Sequence, residues 1–198
     1  MSADFLPDGY KEPTASNYMR LVDGDNTFRV LSSPIMGWEY WKVVVGDDGK
    51  EVRKPVRKKQ GEDLPQNELE INAEGDLVMP KFFWALVVYN FGDQKIQILE
   101  ITQKGIRQAI EALARNKKWG NPRDYNILIT RTGTGFDTEY MVNPEPKEPI
   151  DPEIVKKYEA MKINLEALYS TPEYPYGGDP FKVEEVDFND LVDGKQSF

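Results

Sequence analysis

The 198-residue sequence contains no cysteine and no histidine. Disulfide frameworks, thiol nucleophiles, the common structural zinc sites and every histidine-based catalytic arrangement are therefore excluded. No stretch approaches the roughly 18 to 20 apolar residues that a membrane span needs, and residues 1–10 lack a basic segment followed by an apolar run. We therefore expect a soluble intracellular protein that does not associate with a membrane.

Recognisable catalytic motifs are missing as well. Gly133 and Gly135 precede a predicted strand rather than a helix, so they do not form a phosphate-binding loop. A metal-dependent nuclease needs several carboxylates at one place. The closely spaced acidic pairs of this chain lie in turn-rich sequence without such a motif: Asp23 and Asp25, Asp47 and Asp48, Glu68 and Glu70. We expect no enzymatic activity, no bound metal and no cofactor.

The net charge of −9 is distributed unevenly along the chain. Residues 20–143 contain 18 basic and 18 acidic residues, whereas residues 144–198 contain 6 basic and 13 acidic ones. Residues 1–19 add 1 basic and 3 acidic residues. A neutral body can present a local positive groove, so the acidity of the ends does not exclude a nucleic-acid partner.

Short apolar and aromatic runs, separated by turn sequences such as DDGK, FGDQ and TGTG, are typical of a β-rich domain. Six runs predict strands: 27–32 (TFRVLS), 38–45 (WEYWKVVV), 82–90 (FFWALVVYN), 95–102 (KIQILEIT), 125–131 (YNILITR) and 138–142 (TEYMV). A helix capped by Thr102 is predicted between the fourth and fifth of them, because Ile106, Ile110 and Leu113 recur at helical spacing. A second helix is predicted after Pro152, with an apolar stripe that continues to Leu168.

These elements predict a mainly β fold, a five-stranded barrel of the oligonucleotide/oligosaccharide-binding (OB) type with one inter-strand helix and a second, C-terminal helix. Other small barrels fit nearly as well. The predicted organisation is a flexible N-terminal arm (1–18), an OB domain (19–146), a C-terminal helix packed on it (147–170), and a linker with an acidic tail (171–198).

Two strands carry candidate base-stacking residues. Alternation places Trp38, Tyr40 and Lys42 on one face of their strand, and Lys81, Phe83 and Tyr89 on one face of another. Aromatic rings stack on unpaired bases while nearby cations meet phosphates, which is the mixture that a single-stranded nucleic acid requires. For any single aromatic residue, however, a place in the core is the commoner role.

The segment KEVRKPVRKKQG, residues 50–61, concentrates six basic residues against one acid. We interpret five of them as phosphate contacts: Arg53, Lys54, Arg57, Lys58 and Lys59. Pro55 places the segment at a sheet edge, and the alternative interpretation is an edge that lysines protect from aggregation. Residues 60–80, which follow, are predicted to be a mobile insertion.

The C-terminal sequence DPFKVEEVDFNDLVDGKQSF alternates acidic and apolar residues and ends in an aromatic one. A purely solubilising tail does not need the apolar residues, so we predict a recognition peptide for partner proteins. Its predicted contacts are Asp187, Phe188, Asp190, Leu191 and Phe198.

The order of NTFRVLSSPIMGWEYW, KPVRKK and PKFFWALVVYNFGDQKIQILEITQKGIRQAIEAL over residues 20–143, together with the tail, resembles the single-stranded-DNA-binding (helix-destabilising) replication proteins of tailed bacteriophages. T-even members of that group carry a zinc site built from cysteine and histidine, so the resemblance is to a zinc-free branch. It implies an OB barrel that protects single strands during replication and recombination in the cytoplasm of an infected bacterial cell, and a tail that contacts replication or recombination proteins.

Two functions remain open at this point. The first is a coat for single-stranded DNA with little sequence preference. The second is an acidic module that binds a host or phage enzyme without touching DNA; such a module has no need of the basic segment.

Overall fold

The structure is a computed structural model that describes residues 16–182. This part of the chain forms eight strands and two α-helices. The strands are β1 (Tyr18–Met19), β2 (Gly24–Val30), β3 (Ile35–Val45), β4 (Glu51–Lys59), β5 (Lys81–Asn90), β6 (Lys95–Ile101), β7 (Tyr125–Thr132) and β8 (Glu139–Lys147). The helices are α1 (Lys104–Arg115) and α2 (Pro152–Met161). The mainly β class and the six strands predicted from apolar runs are confirmed.

Strand β5 is the centre of a mixed sheet. One of its edges pairs with β6, and its other edge pairs with β2 near one end and with β3 near the other. The sheet continues from β2 to β7 and β8, while β1 pairs in parallel with β6. The sheet has eight strands and is open, because the strands at the two ends of this order, β1 and β8, do not pair with each other. The prediction of a five-stranded barrel is therefore not confirmed.

One face of the sheet packs on α1. Ile106 and Ile110 of this helix join Leu86, Leu99 and Ile127 in the larger core, as their helical spacing predicts. The helix begins one residue later than predicted, since Gln103 occupies the N-cap position and Thr102 lies outside it.

The opposite face is covered by the C-terminal part of the described chain. Leu165 and Leu168 pack on the face of β5 and β6 that contains Phe83. The prediction of one continuous helix there is wrong, because Lys162 adopts a left-handed conformation (φ 48°) and ends α2. The rest of the apolar stripe then lies in a separate 3₁₀ turn, Leu165–Leu168.

Strands β3 and β4 form a hairpin that extends beyond the sheet, since β3 pairs with β5 only through Ile35–Glu39. Gly37 of β3 packs tightly on β4, since a Cβ atom there would collide with the carbonyl oxygen of Lys58. The predicted edge position of Pro55 is confirmed, because β4 pairs with β3 alone. Part of the outer edge of β4 is covered by Ser170, whose hydroxyl oxygen accepts a hydrogen bond from the Arg57 N–H (3.0 Å).

Two segments predicted to lack regular packing lie against this hairpin and the sheet. Leu69, in the predicted mobile insertion, is buried. Pro180, in the predicted linker, is also buried, and the Gly178 N–H donates to the Ala167 carbonyl oxygen (2.7 Å). The packed body therefore extends to residue 182. The predicted contacts of the acidic tail, and nearly all of the predicted N-terminal arm, lie outside the described residues.

Candidate functional site

The two faces of the β3–β4 hairpin have different neighbours. Alternation and the pairing register define an inner face with Trp38, Tyr40, Lys42, Lys54, Val56 and Lys58. They define an outer face with Glu39, Trp41, Val43, Val45, Arg53 and Arg57. The base-stacking residues predicted on β3 all belong to the inner face.

Most of the inner face is covered. Tyr40 and Val56 pack on Leu69 in a small core of their own. The Tyr40 hydroxyl donates to Glu68 Oε2 (2.9 Å), and Lys42 Nζ lies 3.1 Å from the same oxygen. These hydrogen bonds lower the pKa of Glu68, whereas burial raises the pKa of Tyr40. Tyr40 and Lys42 therefore hold the insertion in place and do not offer a free stacking surface.

A cleft of about 400 Å³ remains beside this covered face. Lys58 lines it together with Tyr176, which comes from the segment predicted to be a linker. Lys54 Nζ lies 5.3 Å from the centre of the Tyr176 ring. This aromatic–cation contact ties the C-terminal segment to the hairpin.

The predicted phosphate-binding cations are largely paired with carboxylates. Arg53 makes a two-point contact with Glu70 (3.0 and 2.7 Å), and Lys59 Nζ lies 2.7 Å from Glu166. Arg57 forms two ion pairs that are described below. Within residues 16–182, three of the predicted cations form no ion pair with another described residue: Lys54, Lys58 and Lys81.

The other predicted aromatics are mainly structural. Phe83 is completely buried beneath Tyr169, with ring centroids 6.2 Å apart, and this burial keeps bases away from it. Tyr89 is half-buried with its ring edge on Phe91. Trp38 is partly exposed and packs edge to face on Phe82 at 5.2 Å.

A groove opens on the other side of the hairpin, where β1 and β6 come close to the start of β8. We call it the seam groove; it has a volume of about 340 Å³. Its aromatic and charged lining side chains are Tyr18, Arg20, Trp41, Arg57, Glu100 and Tyr140. The groove lies between β1 and β8, the strands at the two ends of the open sheet.

Trp41 lines the groove and is more exposed than the other three tryptophans, Trp38, Trp84 and Trp119. It is 39 % exposed, and the guanidinium of Arg53 lies 5.6 Å from its ring centre. Tyr18 is 37 % exposed and contacts Phe181 edge to face. An exposed indole beside a guanidinium supplies both a stacking surface and a charge for a phosphate.

The floor of the seam groove contains a buried charge cluster. Arg57 Nε lies 2.9 Å from Glu39, and Arg57 Nη2 lies 2.8 Å from Glu100. The first contact is an ion pair without hydrogen-bond geometry, because neither Glu39 Oε2 nor Arg57 Nε has a hydrogen-bond partner among the described residues. Burial and the neighbouring Glu100 raise the pKa of Glu39 to about 8. Loss of the Glu39 proton near pH 8 therefore adds a negative charge to this cluster.

This raised pKa makes stability depend on pH through Glu39. The folded protein binds the Glu39 proton up to about pH 8, whereas the unfolded chain releases it near 4.5, so stability falls as pH rises between these values. Glu39→Gln cannot lose a proton. We therefore expect the stability difference between Glu39→Gln and the original protein to shift in favour of the variant as pH rises from 5.5 to 8.5. The expected shift in the free energy of unfolding is on the order of 2 kcal/mol. Urea unfolding at both pH values measures this, and a difference independent of pH contradicts it.

Sequence reasoning did not select four residues that line the seam groove: Tyr18, Arg20, Trp41 and Tyr140. One signal was present in the strand pattern. Trp41, Val43 and Val45 alternate along a stretch of β3 that has β4 as its only partner strand, which leaves an apolar outer face. The other three residues come from separate strands or their flanks, and only the fold brings them together.

Two of the acidic residues considered for a metal site, Glu68 and Glu70, have other partners. They bind Tyr40, Lys42 and Arg53. No group of three or more metal-ligating side chains occurs within residues 16–182. The two α-helices there contain 12 and 10 residues, and no described helix is long and apolar enough to cross a membrane.

Within residues 16–182, the fold and the site together define a mainly β protein with an open mixed sheet, two α-helices and an aromatic, arginine-containing groove at the unclosed seam. Comparisons with protein-family models, curated proteins and solved structures gave no match to this chain.

Proposed function

We propose that this protein binds single-stranded DNA along the seam groove and the outer face of the β3–β4 hairpin, with little sequence preference and without catalysis. The observation that carries the proposal is the exposed Trp41 ring with the Arg53 guanidinium against it. Trp41 and Tyr18 are the stacking candidates, and Arg20 and Arg53 are the candidates for phosphate contacts. Every base has an aromatic face, so stacking of this kind tolerates any sequence.

The strand order supports this assignment. A long first strand (β2 and β3), then β5 and β6, a helix, and the β7–β8 hairpin follow the chain order of an OB fold. In this correspondence the β3–β4 hairpin and the loop between β7 and β8 occupy the places of the two loops that bind oligonucleotides in OB folds. The seam groove lies between them, with Trp41 from the first and Tyr140 from the start of β8, just after the second.

The pairing of Arg53 with Glu70 is compatible with a role in phosphate binding. The Arg53 side chain is 59 % exposed, and it binds Glu70 through Nε and Nη2. A phosphate oxygen can therefore approach Nη1 while the pair with Glu70 stays in place. Lys54 and Lys58, which form no ion pair within residues 16–182, lie on the inner face of the same hairpin, so they are not part of the proposed outer-face contact.

The cellular role that fits this chemistry is the coating and protection of single strands during phage DNA replication and recombination, in the cytoplasm of an infected bacterial cell. In this proposal the acidic tail, including Asp187, Phe188, Asp190, Leu191 and Phe198, recruits replication partners. Its acid–apolar sequence supports that assignment.

Titration of fluorescein-labelled oligo-dT, followed by anisotropy, tests the proposed function. We expect saturable binding that becomes weaker as salt is added, with log Kd rising linearly with the logarithm of the salt concentration. The reason is that Lys and Arg side chains displace counterions from the phosphates when they bind. Arg53→Gln should reduce that slope by about one. Lys117→Gln, an exposed lysine after α1, is the matched control and should leave the slope unchanged. Absence of binding at low salt refutes the proposed function.

A protein-interaction module is the second candidate, and one observation favours it. Val43 and Val45 are 49 % and 71 % exposed on the outer face, which is a typical composition for a protein contact. The oligo-dT titration of the original protein discriminates between the two functions. The proposed function predicts saturable binding, whereas a module that does not contact DNA shows none.

A further inference from the structure

The loop between β7 and β8 displays a phenylalanine in solvent. Phe136 is the most exposed large apolar side chain in residues 16–182 and belongs to the short 3₁₀ turn Gly135–Asp137. The loop is closed by the last pair of the β7–β8 ladder, Thr132 with Glu139. A ring in this position makes no contribution to the core.

The backbone of this loop is fixed in spite of its exposure. Gly133 has φ 75°, and a Cβ atom at this residue would collide with the Asp137 carbonyl oxygen. The Thr138 hydroxyl donates to the Gly135 carbonyl oxygen (2.8 Å), and the Asp137 N–H donates to the Thr134 carbonyl oxygen (3.1 Å). Since the loop is already ordered, a ligand that contacts Phe136 does not have to fix its backbone.

Phe136 lies close to the seam groove. It precedes Tyr140, which lines the groove, by four residues, so the two Cα atoms are at most about 14 Å apart. Its immediate charged neighbours, Asp137 and Glu139, are acidic and exposed, which disfavours a phosphate beside the ring. A neutral base is the part of a nucleic acid that this surface suits.

We propose that Phe136 forms a second base-stacking subsite, which takes one unpaired base from a strand that already occupies the seam groove. This inference rests on the proposed function. The strand would pass from the outer face of the hairpin, over Trp41 and Tyr140, to the loop. The base would stack on the exposed ring while its phosphate remains in solvent.

Phe136→Ala tests the subsite by labelled oligo-dT anisotropy at several salt concentrations. We expect binding to weaken about 10-fold, since stacking on one base contributes roughly 1 to 3 kcal/mol. The slope of log Kd against log salt should stay unchanged, because no phosphate contact is lost. Phe136→Trp keeps an aromatic ring and should bind oligo-dT about as tightly as the original protein. Tyr174→Ala is the control, an aromatic residue with 53 % exposure outside the groove, and it should bind as the original protein does.

A second variant tests whether the fixed loop matters. Gly133→Val keeps the ring but forces the loop to rearrange, and we expect a loss of affinity similar to that of Phe136→Ala. Unchanged oligo-dT affinity in Phe136→Ala overturns the proposed subsite. The same conclusion holds if that variant changes only self-association or the binding of another protein. These results differ from a failure of the proposed function, in which the original protein itself does not bind oligo-dT.

Discussion

Trp41→Ala is expected to weaken the binding of oligo-dT by about 10- to 100-fold. Removal of the indole eliminates the stacking surface, which accounts for roughly 1 to 3 kcal/mol, and also the ring against which Arg53 is held. Trp41 is partly exposed and β3 pairs only with β4 at this point, so the variant should fold normally. Anisotropy of a labelled oligonucleotide is the appropriate measurement, because the substitution removes one of the four tryptophans that intrinsic fluorescence would report.

Two companion variants sharpen this test. Trp41→Phe retains an aromatic face and should recover most of the affinity. Trp119→Phe changes a tryptophan that packs in the core on Tyr125, and it should bind oligo-dT as the original protein does. Equal affinities for Trp41→Ala and Trp119→Phe would contradict the placement of the DNA on the outer face of the hairpin.

Arg57→Met is expected to lower the free energy of unfolding by about 3 kcal/mol at pH 8, the usual magnitude when one partner of a buried ion pair is removed. Glu39 and Glu100 would then face each other without the cation between them. Loss of the Arg57 charge raises the pKa of Glu39 above 8, so the destabilisation should be larger still at pH 9.5, where Glu39 of the original protein has lost its proton. Urea unfolding at the two pH values measures both effects.

The double variant Arg57→Met with Glu39→Gln separates this explanation from a simple loss of packing. At pH 9.5, Arg57→Met should cost less stability in the Glu39→Gln background than in the original protein, because only one carboxylate then loses its cation. An equal cost in the two backgrounds, or a loss that is the same at pH 8 and pH 9.5, would show that the Arg57 side chain stabilises the fold by its contacts with Phe83 and its other neighbours rather than by charge.

The strands were predictable because each carries its signal in a few neighbouring residues. Alternation correctly placed Trp38, Tyr40 and Lys42 on one face of β3, and Pro55 correctly indicated an edge strand. The closure of the sheet was not predictable in this way. It depends on β1, two residues long, which has no apolar run of its own and takes the place beside β6.

The candidate site was harder to predict for a related reason. The inner face of the hairpin is covered by Leu69 and Tyr176, which are distant in sequence and lie in segments of polar, irregular composition. No local pattern indicates that these segments fold back, so the accessible and the covered face of β3 look equivalent from the sequence. The number of basic residues in a segment likewise does not show which of them are free to bind phosphate. The carboxylates that pair with Arg57 and Lys59 come from β3, β6 and the turn Leu165–Leu168, outside the basic segment.

The contact between Tyr18 and Phe181 brings the two ends of the described body to one place, with ring centroids 6.2 Å apart. Because these two ends are adjacent, the chain could be joined there and opened elsewhere without a change in how the strands pair. A circular permutant that joins residue 182 to residue 16 by a short flexible linker, and opens in the exposed loop after α1 near residue 117, should retain all eight strands. Its new ends would leave the body beside α1, so that a dye or a surface attachment could be placed there without reaching the seam groove.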